Sequence, residues 1–364
     1  MKFSRILVAL SASVNAQYSG DIVQYWVDQS GLLSNNTLIG GLQSPPSGWF
    51  EAIVQASIYV AALESKNESL AFQQLAVNFG NISKAAQDVL AKINITETDD
   101  RYWRAAAIGR RAVIRVTNAR QDDKLNNLVN YVYHSAYPSV YQRTPGSAFV
   151  APDTPQARYL HTFGGIGDGT RFRVPPPPSV NSSTYESFLD CVKAQGERNS
   201  TVRTAYNIET AYFWRESSPT AWNRFAHNVI GDKYAKDVLS SAEFYAQLNY
   251  AHANAAVAGW DSKAFYNTWR PVTAIRRTDI WLPSKRNNGG KDEIHIIHST
   301  NATGVGLGVM SRRYTSIKQA VKNNGDSRIF GGIHFQFSSD VDSIVADPVG
   351  RATLEAFDKN WDKF

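Results

Sequence analysis

The 364-residue sequence contains a single cysteine, Cys191, so it has no internal disulfide and its fold must stand on a packed core. Cys191 itself reads as a small buried hydrophobe rather than a reactive thiol. No apolar run is long enough to cross a bilayer, which excludes a helical membrane span. Strand-like alternation persists nowhere, which argues against a sheet-built architecture, and no internal repeat suggests a solenoid. The positive excess is modest, +6 over the whole sequence, and it is scattered. No basic-aromatic module of the kind that grips nucleic acid is present, so a nucleic-acid partner is not expected.

What is present suits a large core: 43% of residues are hydrophobic and 12% aromatic, against 19% charged. The first residues combine Lys2 and Arg5 with an apolar run from Ile6 to Val14 and a small-residue exit at Ala16. They read as a secretory signal peptide over 1–16, which predicts a secreted protein. Seven Asn-X-Ser/Thr sequons, at Asn35, Asn67, Asn81, Asn94, Asn181, Asn199 and Asn301, fit a glycosylating route.

Helical periodicity dominates the chain. Ser19 to Gln29 forms a short amphipathic segment, followed by a loop from Leu32 to Ser47. Trp49 to Glu64 carries Phe50, Ile53, Val54, Ile58 and Ala61 on one stripe. Leu70 to Phe79 and Ile82 to Ile93 continue the pattern. Asp99 and Asp100 cap a helix ending near Asn118, and Lys124 to Ala136 reads as another. Thr144 to Pro178 is different. It is a long loop rich in proline and glycine, with Phe149, Tyr159, Phe163 and Phe172 to pin it down, too aromatic for a free linker. Helices resume at Ser183 to Gly196, Arg203 to Arg215 and Ala221 to Ile230. Met310 to Asn323 reads as a further helix, and Ser338-Ser339-Asp340 as the cap of a last one, kinked or restarted at Pro348. The expected fold is all-α. Two packed helical bundles, 17–143 and 183–364, are joined by a Pro/Gly-rich connection over 144–182.

The stretch that organises the chain is Trp260 to Arg277, WDSKAFYNTWRPVTAIRR. It closes an alanine-rich helical run that opens at Ser240 and Glu243, a capping-box pattern. Continued as one helix to Arg270 and ended by Pro271, it sets Lys263 and Arg270 about 10 Å apart on one stripe, with Trp260 and Asn267 on the same face. Two cations flanked by aromatics on a buried helix call for an anion; on a solvated face they would mean nothing. Farther on, Ser327-Arg328-Ile329-Phe330-Gly331-Gly332-Ile333-His334 carries a glycine pair that lets the backbone bend. Arg328 and His334 can then face one centre.

Lys263-X6-Arg270-Pro271 followed by Ser327-Arg328-X5-His334 resembles two of the three signature motifs of the vanadium-dependent haloperoxidases, a superfamily shared with the phosphatidic-acid-phosphatase type 2 enzymes. The contexts WDSKAFYNTWRPVTAIR, SRIFGGIHFQF and FRVPPPP look like its secreted fungal members. The resemblance implies a haloperoxidase-like helical fold and a vanadate cofactor, or phosphate in the same pocket, with no haem and no nucleotide. It implies that Lys263, Arg270 and Arg328 hold the oxyanion, that His334 ligates vanadium, and that Trp260 walls the pocket. The chemistry agrees: arginine forks and a lysine point charge match a tetrahedral oxyanion. The partners it implies are halide, hydrogen peroxide and a small-molecule substrate, in defence or in tailoring of a secondary metabolite.

The family's middle motif, Pro-Ser-Gly-His or a Ser-Thr-His variant, is absent. The nearest stretch, His298-Ser299-Thr300-Asn301, has asparagine where the acid–base histidine belongs, and asparagine exchanges no proton near neutral pH. The preferred reading is that the motif is missing outright near Pro283 to Gly290, with His295 and His298 as the candidate substitutes. His134, His161, His227 and His252 read as structural. Beside halide oxidation the residues allow a phosphomonoester hydrolase with His334 as nucleophile, or a pocket that binds an oxyanion without redox turnover.

Overall fold

The alanine-rich run after Asp237 forms a 29-residue helix, and the rest of the fold is laid around it. The computed structural model describes residues 21–37, 44–67, 100–124, 129–144, 151–152, 154–197, 199–281 and 312–364. Among them are ten α-helices: α1 (Ile22–Thr37), α2 (Ser44–Asn67), α3 (Asp100–Ala119), α4 (Ser183–Gly196), α5 (Ala205–Phe213), α6 (Ser218–Ile230), α7 (Val238–Tyr266), α8 (Pro271–Trp281), α9 (Ile317–Phe330) and α10 (Gln336–Asn360). No strand occurs among the described residues; an isolated bridge pairs Val140 with Thr268. The all-α expectation is met.

Helix α7 is buried along most of its length, from Ser241 and Ala242 to Asp261 and Ser262. Its alanines let α2, α6 and α10 approach closely, and its asparagines answer buried polar groups. Asn249 exchanges amide hydrogen bonds with Asn223 of α6, at 2.9 and 3.1 Å. Asn254 grips both backbone groups of Phe163 and donates to Thr353 of α10 at 3.0 Å. Helices α7 and α10 run antiparallel. Tyr250 packs edge-on against Phe357, Asn254 meets Thr353, and Ala258 shares an apolar cluster with Val345 and Val349.

The Pro/Gly-rich connection is sewn onto the C-terminal half of α7. Asp261 is buried and accepts from Arg158 at 3.3 Å and from Arg173 at 2.8 and 3.2 Å. Tyr266 Oη donates to the Val174 carbonyl at 2.6 Å. Gly169 lies so close that a Cβ there would sit 2.8 Å from the Asp261 Cβ. Of the four expected anchors, Phe163 and Phe172 are buried, Tyr159 is exposed, and Phe149 lies outside the described residues.

Several local expectations are corrected. Helix α7 is capped by Asp237, whose carboxylate accepts from Ser240 N and Ser240 Oγ, so the Ser240/Glu243 capping box does not form. Helix α1 runs on to Thr37 and α2 starts at Ser44, which shortens the expected loop from both sides. Within the expected helix from Lys124 to Ala136, residues 129–136 are not helical. Tyr131, Tyr133 and Tyr141 cluster instead, and the neighbouring backbone docks on 267–269, as suits a run of β-branched and aromatic residues. The helix expected from Met310 to Asn323 lies later, at Ile317–Phe330 with Ser316 as cap. The last helix starts at Gln336, before the expected cap, and is continuous through Pro348. Cys191 is exposed, because α4 buries the face carrying Tyr185, Leu189, Val192 and Gly196. Partial desolvation raises its thiol pKa, which keeps it protonated. The helices expected at Leu70 to Phe79 and Ile82 to Ile93 lie outside the described residues.

Candidate functional site

The stretch from Trp260 to Arg270 is not one helix. Helix α7 stops at Tyr266; Asn267 takes the left-handed conformation (φ 47°), and its N–H closes on the Lys263 carbonyl. Asparagine tolerates this conformation better than most residues, and Tyr131 Oη holds its side chain at 2.9 Å. The chain then runs extended through Thr268 and Trp269, and Pro271 begins α8 instead of ending α7. Proline suits a first helical position because its missing N–H would be unpaired there anyway. Arg270 therefore stands at the N-cap of α8, where its carbonyl accepts from Thr273 N and Ala274 N. The expected common stripe of Lys263 and Arg270 does not exist, since the two belong to different elements.

Arg328 and His334 are brought together by the end of α9. Gly332 has φ 69° and donates to the Ile329 carbonyl at 2.8 Å, while Ile333 N donates to the Arg328 carbonyl at 3.0 Å. These two bonds make a Schellman cap, and His334 N also reaches the Arg328 carbonyl at 3.3 Å. The cap fits because Gly196, the last residue of α4, lies against it; a Cβ on Gly196 would sit 2.6 Å from Gly332 Cα. The Arg328 guanidinium donates to the Trp214 carbonyl at 3.3 Å. Trp214 is in turn held through its indole by Asn323 at 2.9 Å.

One apolar cluster fixes Arg270 and His334 relative to each other. Trp269, which precedes Arg270, and Phe335, which follows His334, are both buried against Tyr185, Leu189 and Val192 of α4. Trp269 Nε1 donates to Tyr185 Oη at 2.6 Å, and the Tyr185 and Phe335 ring centroids are 5.5 Å apart.

The four residues singled out from the sequence act on one another electrically. Burial holds the His334 imidazole well below its ordinary pKa, and the charges of Arg270, Arg328 and Lys263 lower it further. Burial and the charge of Arg270 also lower the pKa of Arg328. His334 and Arg328 are only half-buried by accessible surface, so they face a recess that protein crowds but solvent still enters. Lys263 lies over the Trp260 ring with Nζ 3.7 Å from its centroid. An uncharged imidazole within electrostatic reach of three cations is a poor place for a bare metal cation and a good one for an anion. The structure adds two participants that sequence reasoning missed. They are the Trp214 carbonyl under Arg328 and Asp342 on α10, whose carboxylate feels the charges of Lys263 and Arg328.

His295, His298, Ser299 and Asn301, with the whole interval where the middle motif would stand, lie outside the described residues. His252 carries no ligand set; burial lowers its pKa to about 4. His227 of α6 pairs with Asp28 of α1 at 3.5 Å. Among the sequons, Asn181 and Asn199 are exposed.

Elements α7 to α10 bring three cations, one imidazole and one carboxylate within electrostatic reach of one another, and comparison with known proteins places the fold. Residues 243–294 match the family described as the second helical-bundle domain of VCPO. A bacterial vanadium-dependent iodoperoxidase superposes with TM-score 0.68 at 16% identity, over 95% of this chain and 98% of that one. The apo form of a bacterial vanadium-dependent chloroperoxidase superposes with TM-score 0.64 at 15% identity, covering 89% and 96%. The holo form of a bacterial vanadium-dependent chloroperoxidase gives 0.62 at 14%, covering 95% and 99%. Among curated proteins, none matches the sequence. The chain has the vanadium-haloperoxidase fold, and the family match falls on α7 and α8, the elements that carry Lys263 and Arg270.

Proposed function

We propose that this chain is a secreted, haloperoxidase-type protein that binds vanadate at Lys263, Arg270, Arg328 and His334, and that it binds this oxyanion far better than it turns halide over. The observation that carries the reading is the set of three cations whose charges fall on one uncharged imidazole. The residues fit the group. Lys263, Arg270 and Arg328 would compensate the charge of the oxyanion and donate to its oxygens, and the neutral His334 nitrogen would be the ligand to vanadium. When bound, vanadate supplies a Lewis-acid centre that activates hydrogen peroxide toward halide. The chain's own part is to orient and neutralise the anion, to keep His334 unprotonated, and to wall the recess with Trp260. The part it lacks in sequence is the histidine of the middle motif, and a positioned acid–base group contributes about 10²- to 10⁴-fold to turnover.

Calorimetric titration with orthovanadate, paired with a peroxide-dependent bromination assay, tests both halves. Each charge-assisted hydrogen bond contributes about 1.5–3 kcal/mol, so Arg328→Ala should weaken vanadate binding by roughly 10- to 150-fold. The unaltered chain should give binding heat and at most weak bromination. Folded protein with no vanadate heat would end the proposal. Robust bromination abolished by His298→Ala would show that His298 has taken the missing role.

A further inference from the structure

The three cations of the recess stand on α7, α8 and α9, and the acid whose charge reaches Arg328 comes from a fourth element, α10. Helix geometry sets its level beside α7, with Lys263 about 140° around that helix from Ala258. Going up α7, Tyr250, Asn254 and Ala258 meet Phe357, Thr353 and the Val345–Val349 turn of α10 in order. Each turn gained on α7 is a turn lost on α10. One to two turns past Ala258 therefore brings Lys263 level with Asp342. Asp342 also lies on the α10 face of Val345 and Val349, three and seven residues before them, which is the face packed toward α7. On the other side Gly325 of α9 touches Ser339, so α10 leaves the Schellman cap running beside the helix that carries Arg328. The Asp342 carboxyl is open to solvent. Its carboxylate is within electrostatic reach of Lys263 and Arg328, two of the cations of that recess.

We infer that Asp342 is the internal counter-charge of the oxyanion site. Its carboxylate offsets one of the three cations and so sets how much negative charge a bound oxyanion must bring. The inference rests on the oxyanion reading of the recess. With His334 neutral, Lys263, Arg270 and Arg328 total three positive charges, and ionised Asp342 leaves two. A divalent oxyanion matches the recess as it is, and the carboxylate repels every further negative charge. Burial raises the Asp342 pKa while Lys263 and Arg328 lower it, the balance expected of a carboxyl crowded by protein but faced by cations. Removing its charge adds one unit of attraction per unit of ligand charge, so a dianion gains twice as much, on a logarithmic scale, as a monoanion.

The test is Asp342→Asn in the full chain, titrated at low ionic strength and pH 8 with inorganic phosphate, mostly a dianion, and with perrhenate, a tetrahedral monoanion. Phosphate should bind roughly 10-fold tighter than to the unaltered protein and perrhenate about 3-fold tighter, with both gains shrinking at high salt. Arg328→Ala serves as the control for the recess itself, and thermal melts confirm that each variant is folded. If the unaltered protein binds phosphate, Arg328→Ala loses it and Asp342→Asn changes nothing or weakens it, the counter-charge inference fails and the oxyanion reading stands. Equal gains for phosphate and perrhenate would also overturn it, since a steric effect ignores ligand charge. If neither the unaltered protein nor Asp342→Asn binds phosphate, the oxyanion reading falls and takes the inference with it.

Discussion

Glu51 sits on α2 with its side chain fully buried in the main apolar cluster, an unusual place for a carboxyl group. One oxygen accepts from Ser30 Oγ at 2.6 Å; the other finds no partner among the described residues. Gln55, one turn on, is near enough to lower the pKa slightly but is not aligned to close a hydrogen bond. Burial dominates and pushes Glu51 from 4.5 to about 7. A raised acid pKa means that the unfolded chain loses this proton first, between about pH 4.5 and pH 7. Stability should therefore fall as pH rises through that window and level off above it. At about 1.4 kcal/mol per pH unit, the ionised carboxyl costs roughly 3 kcal/mol at pH 8. Glu51→Gln keeps the shape and the acceptor for Ser30 but cannot ionise. The variant should match the unaltered protein at pH 5 and exceed it by about 2–3 kcal/mol at pH 8. Urea unfolding followed by tryptophan fluorescence at both pH values measures the difference, and the other titrating groups cancel because both proteins carry them. A Glu51→Gln effect that is the same at pH 5 and pH 8 would refute the assignment of a buried, protonated carboxyl.

Two further expectations concern the supports of the site. Gly196→Ala forces a Cβ to within 2.6 Å of Gly332 Cα, so it should cost roughly 1–3 kcal/mol in stability. It should also displace the cap that holds His334, weakening vanadate binding in a titration of the folded variant. Asn323→Ala strands the Trp214 indole and the Tyr206 and Tyr314 hydroxyls that Asn323 holds. A loss of roughly 3 kcal/mol in urea unfolding is expected, with vanadate affinity lowered at least several-fold because Trp214 carries the carbonyl that aims Arg328.

Element types were legible wherever the local pattern and the tertiary contacts agreed. Helix α4 has the expected bounds, Ser183 to Gly196, and there the Ser182 cap and the buried Tyr185–Leu189–Val192 stripe point the same way. The run after Tyr266 was not legible, because tertiary contacts override propensity there. Phe265 to Arg270 has nothing that forbids a helix. Yet Asn267 turns left-handed under a hydrogen bond from Tyr131, far earlier in the chain, and Thr268 pairs with Val140. The signal that could have shown the break was the pairing of an asparagine able to take positive φ with a proline four residues on, suited to begin a new helix. Residues 129–136, part of the helix expected from Lys124 to Ala136, are not helical for the matching reason. The β-branched and aromatic residues there find their use only against the break at 267–269.

The same contrast explains why the site residues could be named while their arrangement could not. Lys263, Arg270, Arg328 and His334 stand out by chemical type and spacing. What sets them around one recess is the uncharged company they keep. Trp269 and Phe335 are the immediate neighbours of Arg270 and His334, and both are buried on the same face of α4. A core aromatic fixes the backbone beside it more firmly than an ion pair at a solvent-filled recess does, because its burial does not depend on a ligand being present. Arg270 and His334 are thus aimed by the apolar residues next to them, and Arg328 by a backbone carbonyl. The cations need no bound anion to hold them in place, and the recess stands ready with its positive charge offset in part by Asp342. Preorganisation of this kind is what lets like charges be held together at a binding site, and here core packing supplies it.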